Sequence, residues 1–313
     1  MSNYSENQMI NDPNHVWSKI IAFIKPGSEV LDIGCSSGNL GTVLIEQKHC
    51  TVDGVEPEPE DARQAATHLR KVWQLSIEDP AAVKQIGRQY DVLVFADVLE
   101  HLLDPVKTLQ AVKVLVKPGG QVVFSLPNMA HVSVRLSLLQ GNFDYTETGL
   151  LDKTHLHFYD VNHVKEMFTS AGLSIEKLDA SSYQYPKRVL ASKLEDLGFK
   201  ALDKGLELLS EPDAASFQYV GYAAYSKQPA AADLKPTTPV IQKDMEGLLD
   251  KISERDKTIQ KLNTDMNGLH TELGRLQTEL QQLVNSKTFR AAQAITSPYR
   301  AAHKSLKNVR RKG

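Results

Sequence analysis

Three residues near the start of the chain, Asp32, Gly34 and Gly38, have the types and spacing of a small-molecule site. They lie in the run VLDIGCSSGNLG at 30–41, where an apolar stretch ends in an acid and two glycines precede a helix-like segment. This order predicts a strand, a tight turn and a helix, with a ligand at the carboxyl end of the strand. Glycine suits such a turn because it permits positive φ and lets the backbone approach a ligand closely.

The spacing of this glycine loop (residues 34–38) excludes the two common phosphate-binding loops. No Lys follows Gly38, and the pattern is D-x-G-C-x-x-G-x-L-G rather than G-x-G-x-x-G. A carboxylate at Asp32 would repel a pyrophosphate, so the loop favours a ligand that is cationic or rich in hydroxyls and amines. S-adenosylmethionine has a sulfonium, an amino group and no phosphate, and it fits these requirements. The alternative is an ordinary strand-to-helix turn without a ligand.

A further acid, Glu56, ends the next apolar run at 50–56 and falls about twenty residues past the glycine loop. A carboxylate at the tip of a second parallel strand can accept hydrogen bonds from both ribose hydroxyls of a nucleoside. The alternative for Glu56 is a solvated acid in a loop. Its position after a strand favours the binding role.

Two clusters of acids and histidines follow later in the chain. The run YDVLVFADVLEHLLDP at 90–105 predicts a buried strand that ends at Asp97 and a loop that carries Glu100 and His101. The run LDKTHLHFY at 151–159, which we call the acceptor segment, has Asp152 and His155 among aromatic residues and shows no clean periodicity.

These motifs, in this order, closely resemble the signatures of class I S-adenosylmethionine-dependent methyltransferases. The turn KPGG at 117–120, which precedes a β-rich run, is also typical of that family. The acceptor segment matches D-x-T-H-x-x-F-[FY], a string found in methyltransferases of quinones and bacterial glycans. The resemblance covers about residues 28–228. It implies an α/β fold, a Rossmann-like seven-stranded sheet with helices on both faces.

The resemblance also implies S-adenosyl-L-methionine as the cofactor. The residues that it assigns to cofactor binding lie at or just after the carboxyl ends of the first four strands: Asp32, Gly34, Cys35, Gly38, Glu56, Ser76, Ile77, Glu78 and Asp97. The family often has an Asp that contacts the adenine amine after the third strand, and this chain has Ser76 there, with Glu78 and Asp79 nearby. The departure puts the adenine contact in doubt without affecting the fold.

Transfer of a methyl group to a hydroxyl benefits from a base, because a hydroxyl is a poor nucleophile at neutral pH. Histidine is the side chain best suited to that role at cellular pH. The acceptor segment therefore predicts His155 as the general base, with Asp152 to orient or tune it. His101 is the second candidate, and His131 and His157 are weaker ones. A metal-assisted reaction that uses Asp97, Asp152 and a histidine is an alternative, but the spacing does not demand one, and we predict no metal.

The hydrophobic pattern predicts the elements that position these residues. Strands are expected at 29–33, 50–56, 72–77, 90–96, 121–126, 173–178 and 216–225. Helices are expected within 1–25 and at 40–47, 60–71, 105–116, 160–172 and 187–209. The last helix is an amphipathic insert that could cap the acceptor pocket, form a dimer face or pack into the core.

Length and composition limit the class of protein. With 313 residues, 41% of them hydrophobic, the chain can form one large domain and an appendage. Its mean hydropathy is -0.32, and no apolar run approaches the roughly 18–20 residues that span a bilayer. Cys35 and Cys50 are its two cysteines, which indicates neither a disulfide framework nor a zinc cluster. Two such cysteines indicate a reducing compartment, and the first residues lack the basic start and apolar core of a signal peptide, so we expect a cytoplasmic protein.

The C-terminal part of the sequence predicts a coiled coil. We expect a methyltransferase domain at 1–228, an Ala-, Pro- and Thr-rich linker at 229–240, a coiled coil at 241–285 and a basic tail at 286–313. Heptad positions a and d are apolar except at Arg255: Met245, Ile252, Ile259, Met266, Leu273 and Leu280 at a, and Ile241, Leu248, Leu262, Leu269, Leu276 and Leu283 at d. This pattern favours a parallel homodimer. The alternative is an amphipathic helix that folds back on the domain.

The basic tail indicates an anionic partner. It has eight Lys and Arg residues and no acid, so the rest of the chain carries a net charge of -10 against -2 for the whole. Its Ser286–Arg290 and Pro298–Arg300 resemble an element that follows coiled coils in bacterial surface-polysaccharide glycosyltransferases and methyltransferases. The tail suits an anionic membrane surface, at the inner face of the membrane. Nucleic acid is a weaker partner because no stacking or groove-reading module is visible, and a solvated tail is the other alternative.

The sequence thus predicts an S-adenosylmethionine-dependent methyltransferase. The expected reaction is O-methylation of a sugar or glycan in bacterial cell-surface polysaccharide biosynthesis. One alternative is methylation of a quinone or another small hydroxylated molecule. The alternative outside enzymes is an organising protein, in which the coiled coil recruits partners and the domain binds cofactor without turnover.

Overall fold

The computed structural model of the chain describes residues 12–227, 229, 261–262, 264–266, 268–279 and 282. Its contacts divide the chain into two units, Met1–Ile241 and Gln242–Gly313. The first unit contains a seven-stranded sheet with helices on both faces, so the predicted Rossmann-like fold is confirmed.

Seven strands and ten α-helices make up the described part of the first unit. The strands are β1 (Glu29–Ile33), β2 (Thr51–Val55), β3 (Lys71–Trp73), β4 (Tyr90–Ala96), β5 (Val116–Pro127), β6 (Leu173–Ser182) and β7 (Ser216–Tyr225). The helices are α1 (Val16–Phe23), α2 (Asn39–Lys48), α3 (Pro59–Ala65), α4 (Ala82–Ile86), α5 (Pro105–Ala111), α6 (Val132–Leu139), α7 (Val161–Ser170), α8 (Lys187–Asp196), α9 (Asp203–Ser210) and α10 (Pro212–Ala215). Two 3-10 turns, Leu99–His101 and Val112–Leu115, follow β4 and α5.

The strand order places three loops side by side. The order is β3-β2-β1-β4-β5-β7-β6, with β1 to β5 parallel and β7 antiparallel to both of its neighbours. Ile33 of β1 pairs with Val55 of β2 on one side and with Phe95 of β4 on the other. Because these strands end at the same level, the residues that follow them meet at one edge of the sheet.

Alternating side chains of the central strands fill two cores. Val92 and Val94 of β4 pack on the face that is covered by α1 and α2. Leu93 and Phe95 of the same strand pack on the opposite face, under α4, α5 and α7. Burial on both faces explains why β4 is an almost continuous apolar run in the sequence.

The third strand and the helix before it differ from the prediction. The helix expected to reach Lys71 ends at Ala65, and β3 covers only Lys71–Trp73 instead of 72–77. The chain leaves the helix because the Arg70 backbone N–H donates to the Val52 carbonyl oxygen at the edge of β2. The Arg70 guanidinium also binds the buried Asp53 carboxylate, at 2.7 and 2.6 Å. Tertiary pairing therefore overrides the helical pattern.

Two other regions also differ in detail. The KPGG segment, predicted as a turn before the fifth strand, is a bulge inside β5, where Val116 pairs with Tyr90 and Gln121 with Val92. The insert predicted as one helix is two helices, α8 and α9, because the chain turns at Gly198 with φ of +80°. Leu190, Leu194 and Leu206 of the insert are buried against α6, so its apolar stripe packs into the core.

The predicted linker after residue 229, most of the coiled coil and the tail lie outside the described residues. The described residues between 261 and 282 are helical. The described side chains at their a and d positions are 50 to 70% exposed: Leu262, Met266, Leu269, Leu273 and Leu276. Among the helices of the described residues, none is both long enough and apolar enough to cross a membrane. The dimer stays a prediction.

Candidate active site

The glycine loop brings the backbone close to its neighbours at two positions. Gly34 and Gly38 have φ of +70° and +86°, which disfavours other residues. A Cβ on Gly34 would lie 2.6 Å from Val98 Cγ2, and one on Gly38 would lie 3.0 Å from the Ala65 Cα. Both glycines are therefore required by space as well as by conformation.

A cavity of about 920 Å³ lies in front of this loop. Eight of the predicted site residues line it: Gly34, Glu56, Ser76, Ile77, Glu78, Asp97, His101 and Asp152. Asp32 and Cys35 line a smaller adjacent cavity of about 160 Å³, which shares Gly34 and Ser36 with the larger one. One connected region thus joins the residues predicted for the cofactor to those predicted for the acceptor.

Glu56 is held in place by the backbone. Its Oε2 accepts from the Ser36 N–H at 2.8 Å, and its Oε1 accepts from the Glu58 N–H at 2.9 Å. The residue is buried, yet each carboxylate oxygen retains an acceptor site beyond these bonds. Glu56 therefore suits a pair of ribose hydroxyls, as the sequence predicts.

Asp32 is a buried carboxylate without a neutralising group. Within the part of the chain that the structure describes, its Oδ2 has no hydrogen-bond partner. Burial, and next the negative charge of Glu56, raise the pKa of Asp32 to about 7. A cationic group of a ligand would stabilise this carboxylate, which fits the amino and sulfonium groups of S-adenosylmethionine.

Cys35 contributes packing to the loop. Its Sγ donates to the Ser36 carbonyl oxygen at 3.7 Å, and burial raises the pKa of the thiol. A Cβ on Gly54 would lie 2.6 Å from this sulfur, so Cys35 fills the space that Gly54 leaves open.

The segment assigned to adenine binding lies in a loop, because β3 ends before it. Ser76 Oγ accepts from the Glu78 N–H at 3.2 Å, and Ile77 is a buried apolar side chain of the cavity. Glu78 Oε1 accepts from the N–H groups of Leu103 and Asp104, at 2.9 and 3.1 Å. Glu78 therefore ties this loop to the loop that follows β4.

Asp97 is positioned by two residues that sequence reasoning missed. Its Oδ1 accepts from Ser125 Oγ of β5 at 2.8 Å and from Gln218 Nε2 of β7 at 2.9 Å. Asp97 itself has a φ of +56°, and burial raises its pKa. Polar residues inside buried strands, as at Ser125, are the sequence signal that could have revealed this contact.

Glu100, His101, Asp152 and His155 meet at one end of the cavity, and we call this group the histidine corner. The rings of His101 and His155 are 4.8 Å apart, and His155 Nε2 lies 4.0 Å from Glu100 Oε1. The His155 side chain is only 6% exposed, whereas His101 lines the cavity. Burial, followed by the nearby His101, lowers the pKa of His155, so its neutral form prevails at neutral pH.

The partner that orients His155 differs from the predicted one. His155 Nδ1 lies 3.2 Å from the Leu150 carbonyl oxygen, which can only accept, so Nδ1 carries the hydrogen. The Asp152 carboxylate instead accepts from the Thr154 N–H at 2.8 Å and from its hydroxyl at 2.7 Å. Asp152 therefore acts on His155 through its charge, and the Leu150 carbonyl sets the ring orientation.

The two weaker histidine candidates have other contacts. His131 is buried and caps α6, and burial lowers its pKa to about 4. His157 Nε2 lies 3.4 Å from the Leu103 carbonyl oxygen.

We predict that Gly34→Ala weakens cofactor binding about tenfold or more, since the added Cβ must displace Val98 into the cavity. The matched control is Gly119→Ala, which has a similar φ of +77° but whose Cβ would meet no described atom within 4 Å. Calorimetric titration with S-adenosylhomocysteine measures both variants, and circular dichroism checks their folding. Equal affinities in the two variants would contradict the steric argument.

We also predict that S-adenosylmethionine releases roughly half a proton when it binds at pH 7. Asp32, with a pKa of about 7, is partly protonated at this pH, and a bound cation lowers that pKa. Titration in two buffers of different ionisation enthalpy counts the released protons. Asp32→Asn should abolish the release, and proton uptake by the unmodified chain would refute the assignment.

Comparisons with known proteins identify the family of the chain. Residues 7–178, more than half of the chain, match the family described as Methyltransferase domain. A ubiquinone biosynthesis O-methyltransferase of Nitrosospira multiformis is 30% identical over 163 residues, which cover 50% of this chain and 67% of that protein. Its counterpart in Pseudomonas fluorescens is 34% identical over 163 residues, covering 50% and 69%.

Other matches are shorter or more distant. The ubiquinone biosynthesis O-methyltransferase of Vibrio parahaemolyticus is 35% identical over 108 residues, which are 33% of this chain and 45% of that protein. The crystal structure of magnesium protoporphyrin IX methyltransferase from Synechocystis, with bound S-adenosylhomocysteine, is 14% identical and covers 72% of this chain and 90% of that chain, with a TM-score of 0.46. On the family match and the fold, the chain belongs to the class I S-adenosylmethionine-dependent methyltransferases.

Proposed function

We propose that this enzyme transfers the methyl group of S-adenosylmethionine to a hydroxyl of a small aromatic acceptor of the quinone-precursor kind. The observation that carries the proposal is the cavity, which places the glycine loop and Glu56 in the same space as His101 and Asp152. The named relatives, which are O-methyltransferases of ubiquinone biosynthesis, favour an aromatic hydroxyl over a sugar.

Aromatic side chains beside the histidine corner support an apolar acceptor. The Phe158 ring lies 6.3 Å from that of His155, and the Phe143 ring packs edge-on against those of Phe158 and Tyr145, at 6.2 and 5.6 Å. Phe143, Tyr145 and Phe158 are all exposed. Exposed aromatic rings next to a polar corner suit a ligand with an apolar body and a polar hydroxyl.

The reaction is a displacement at the methyl carbon. The acceptor oxygen forms a bond to that carbon while the bond from carbon to sulfur breaks. Its electron pair stays on sulfur, so the products are a methyl ether and S-adenosylhomocysteine. The hydroxyl proton must also leave. The enzyme contributes mainly by orienting the two reactants and by assisting the loss of this proton.

Removal of the hydroxyl proton is the role that we assign to the histidine corner. His155 is the base that the sequence predicts, but its side chain is buried behind His101, which is on the cavity wall. We therefore propose that His101 contacts the acceptor and that His155 is a positioning residue behind it.

The glycan acceptor has weaker support. It depends on the coiled coil and the tail, whose residues lie largely outside those that the structure describes.

The acceptor class can be tested by transfer of a tritiated methyl group to hydroxylated quinone precursors, nucleotide sugars and lipid-linked glycans. We expect label in the hydroxylated aromatic compounds. His101→Ala should lower kcat by about 10²- to 10⁴-fold without a change in cofactor affinity, because it removes proton-transfer assistance. His163→Ala, which alters an exposed histidine on α7, is the matched control. Label in glycans alone would overturn the aromatic proposal.

We further propose that heptads 241–285 form a parallel homodimer and that the basic tail holds it at the anionic inner face of a bacterial membrane. The heptad pattern and the tail's positive charge support this arrangement. The leucines at heptad positions a and d in the described part of the helix are exposed, and a second helix would bury them.

Sedimentation of the full chain tests the dimer. The double variant Leu269→Glu and Leu276→Glu should sediment as a monomer, since both residues occupy position d. Thr278→Glu, at the outer position f, should leave the dimer intact. The wild type should pellet with phosphatidylglycerol vesicles and not with phosphatidylcholine vesicles. A monomeric wild type, or equal binding to both vesicles, would contradict the corresponding part of the proposal.

A further inference from the structure

The smaller cavity, of about 160 Å³, has the polar groups that an amino acid requires. It is lined by Asp32 and by the first residues of α2, Asn39 and Leu40. Asp32 is 2% exposed, and its Oδ2 has no hydrogen-bond partner among the described residues. No side chain of the described ranges caps the start of α2. The carboxylate suits an ammonium group, and the N–H groups at the start of a helix suit a carboxylate.

The two cavities divide the cofactor between them. The larger one contains Glu56, which suits the ribose, and it shares Gly34 and Ser36 with the smaller one. A ligand can therefore extend from one cavity into the other past the glycine loop. The amino-acid end of S-adenosylmethionine has both an ammonium and a carboxylate, so it matches the smaller cavity.

Trp17 supplies an apolar wall to the smaller cavity. It is the second residue of α1 and is half-buried. Among the described residues that line this cavity, it is the only aromatic one. Its indole also packs against the core that lies under α1 and α2. An indole face attracts a cation and packs against methylene groups, which are the two components of the amino-acid end beside its carboxylate.

Contacts with β6 fix the position of Trp17. The Asn14 side-chain amide, just before α1, donates to the Ser182 carbonyl oxygen at 2.8 Å, and its Oδ1 accepts from the Ser182 N–H at 2.9 Å. On the other side of Trp17, Lys19 forms an ion pair with Asp179 at 3.2 Å, and both side chains are largely buried. Breaking either contact would leave buried polar groups without a partner, which is costly.

We propose that Trp17 covers the amino-acid end of S-adenosylmethionine in the smaller cavity and that Asn14 is a positioning residue for it. The helix that precedes the sheet is thus part of the cofactor site. Trp17 lies before the motifs that resemble those of the family, and the fold brings it to the glycine loop. The inference concerns the cofactor alone, so it holds whichever acceptor is methylated.

Two ligands separate the ends of the cofactor: S-adenosylhomocysteine has the nucleoside and the amino acid, whereas methylthioadenosine lacks the amino acid. In calorimetric titrations of the full chain, Trp17→Ala should weaken binding of the first ligand about 3- to 30-fold and leave the second unchanged. Trp17→Phe keeps a ring and should restore most of the affinity. Phe23→Leu, which alters an aromatic residue of α1 outside both cavities, is the matched control. Equal losses for both ligands, or no loss for either, would overturn the proposal.

The fluorescence of Trp17 gives a readout that does not depend on affinity. In a Trp73→Phe background Trp17 is the only tryptophan, and S-adenosylhomocysteine, but not methylthioadenosine, should change its emission. Bound S-adenosylhomocysteine without an emission change would refute the contact.

The positioning role of Asn14 is tested in the same background. Asn14→Ala should shift the ligand-free emission to the red, because the indole becomes more exposed, and should weaken S-adenosylhomocysteine binding. The double variant Asn14→Ala and Trp17→Ala should lose no more affinity than Trp17→Ala alone, since both changes remove one contact. Additive losses, or an unshifted emission, would reject the role of Asn14.

Discussion

The burial of carboxyl groups where the parallel strands end is the constraint on which this site depends. Asp32, Glu56 and Glu100 are buried and Asp97 is half-buried; Asp32 is near the end of β1, and the other three are in the loops that follow β2 and β4. Burial raises the pKa of Asp32, Asp97 and Glu100. The remaining features of the site either stabilise these acids, as the N–H groups on Glu56 do, or leave them for a ligand to neutralise.

The active site has two halves that are joined mechanically. Loops after β1, β2 and β3 form the half that suits the cofactor, and the loop after β4 forms the other half with the acceptor segment. Glu78 accepts from the backbone N–H groups of Leu103 and Asp104, which joins the two halves. The Glu100 carbonyl accepts from the N–H groups of Leu156 and His157, which joins the two segments of the second half. The cofactor half and the acceptor half therefore share the hydrogen bonds of one side chain, Glu78.

The sequence alone is sufficient to predict the features of the fold and the site that have a local or periodic pattern of residues. The central strands are predictable because burial on both faces requires apolar runs, and the glycine loop is predictable because space and φ require glycine. Other features depend on partners that are distant in sequence. The helix before β3 ends early because Arg70 pairs with Asp53. The Leu150 carbonyl orients His155, whereas the sequence predicts that Asp152 orients or tunes it. A backbone carbonyl is present in every residue, so a partner of this kind cannot be identified from the residue types in the sequence.

The hydrogen bond from Gln218 to Asp97 has a consequence for biosynthesis. These residues are 121 positions apart, and Gln218 is on β7, the last strand of the sheet to be translated. A nascent chain that has released only β1 to β6 from the ribosome exposes the edge of β5 and lacks this contact to Asp97. The hydrogen bond from Gln218 to Asp97 can therefore form only after β7 has emerged, and the edge of β5 is open to incorrect strand pairing until then.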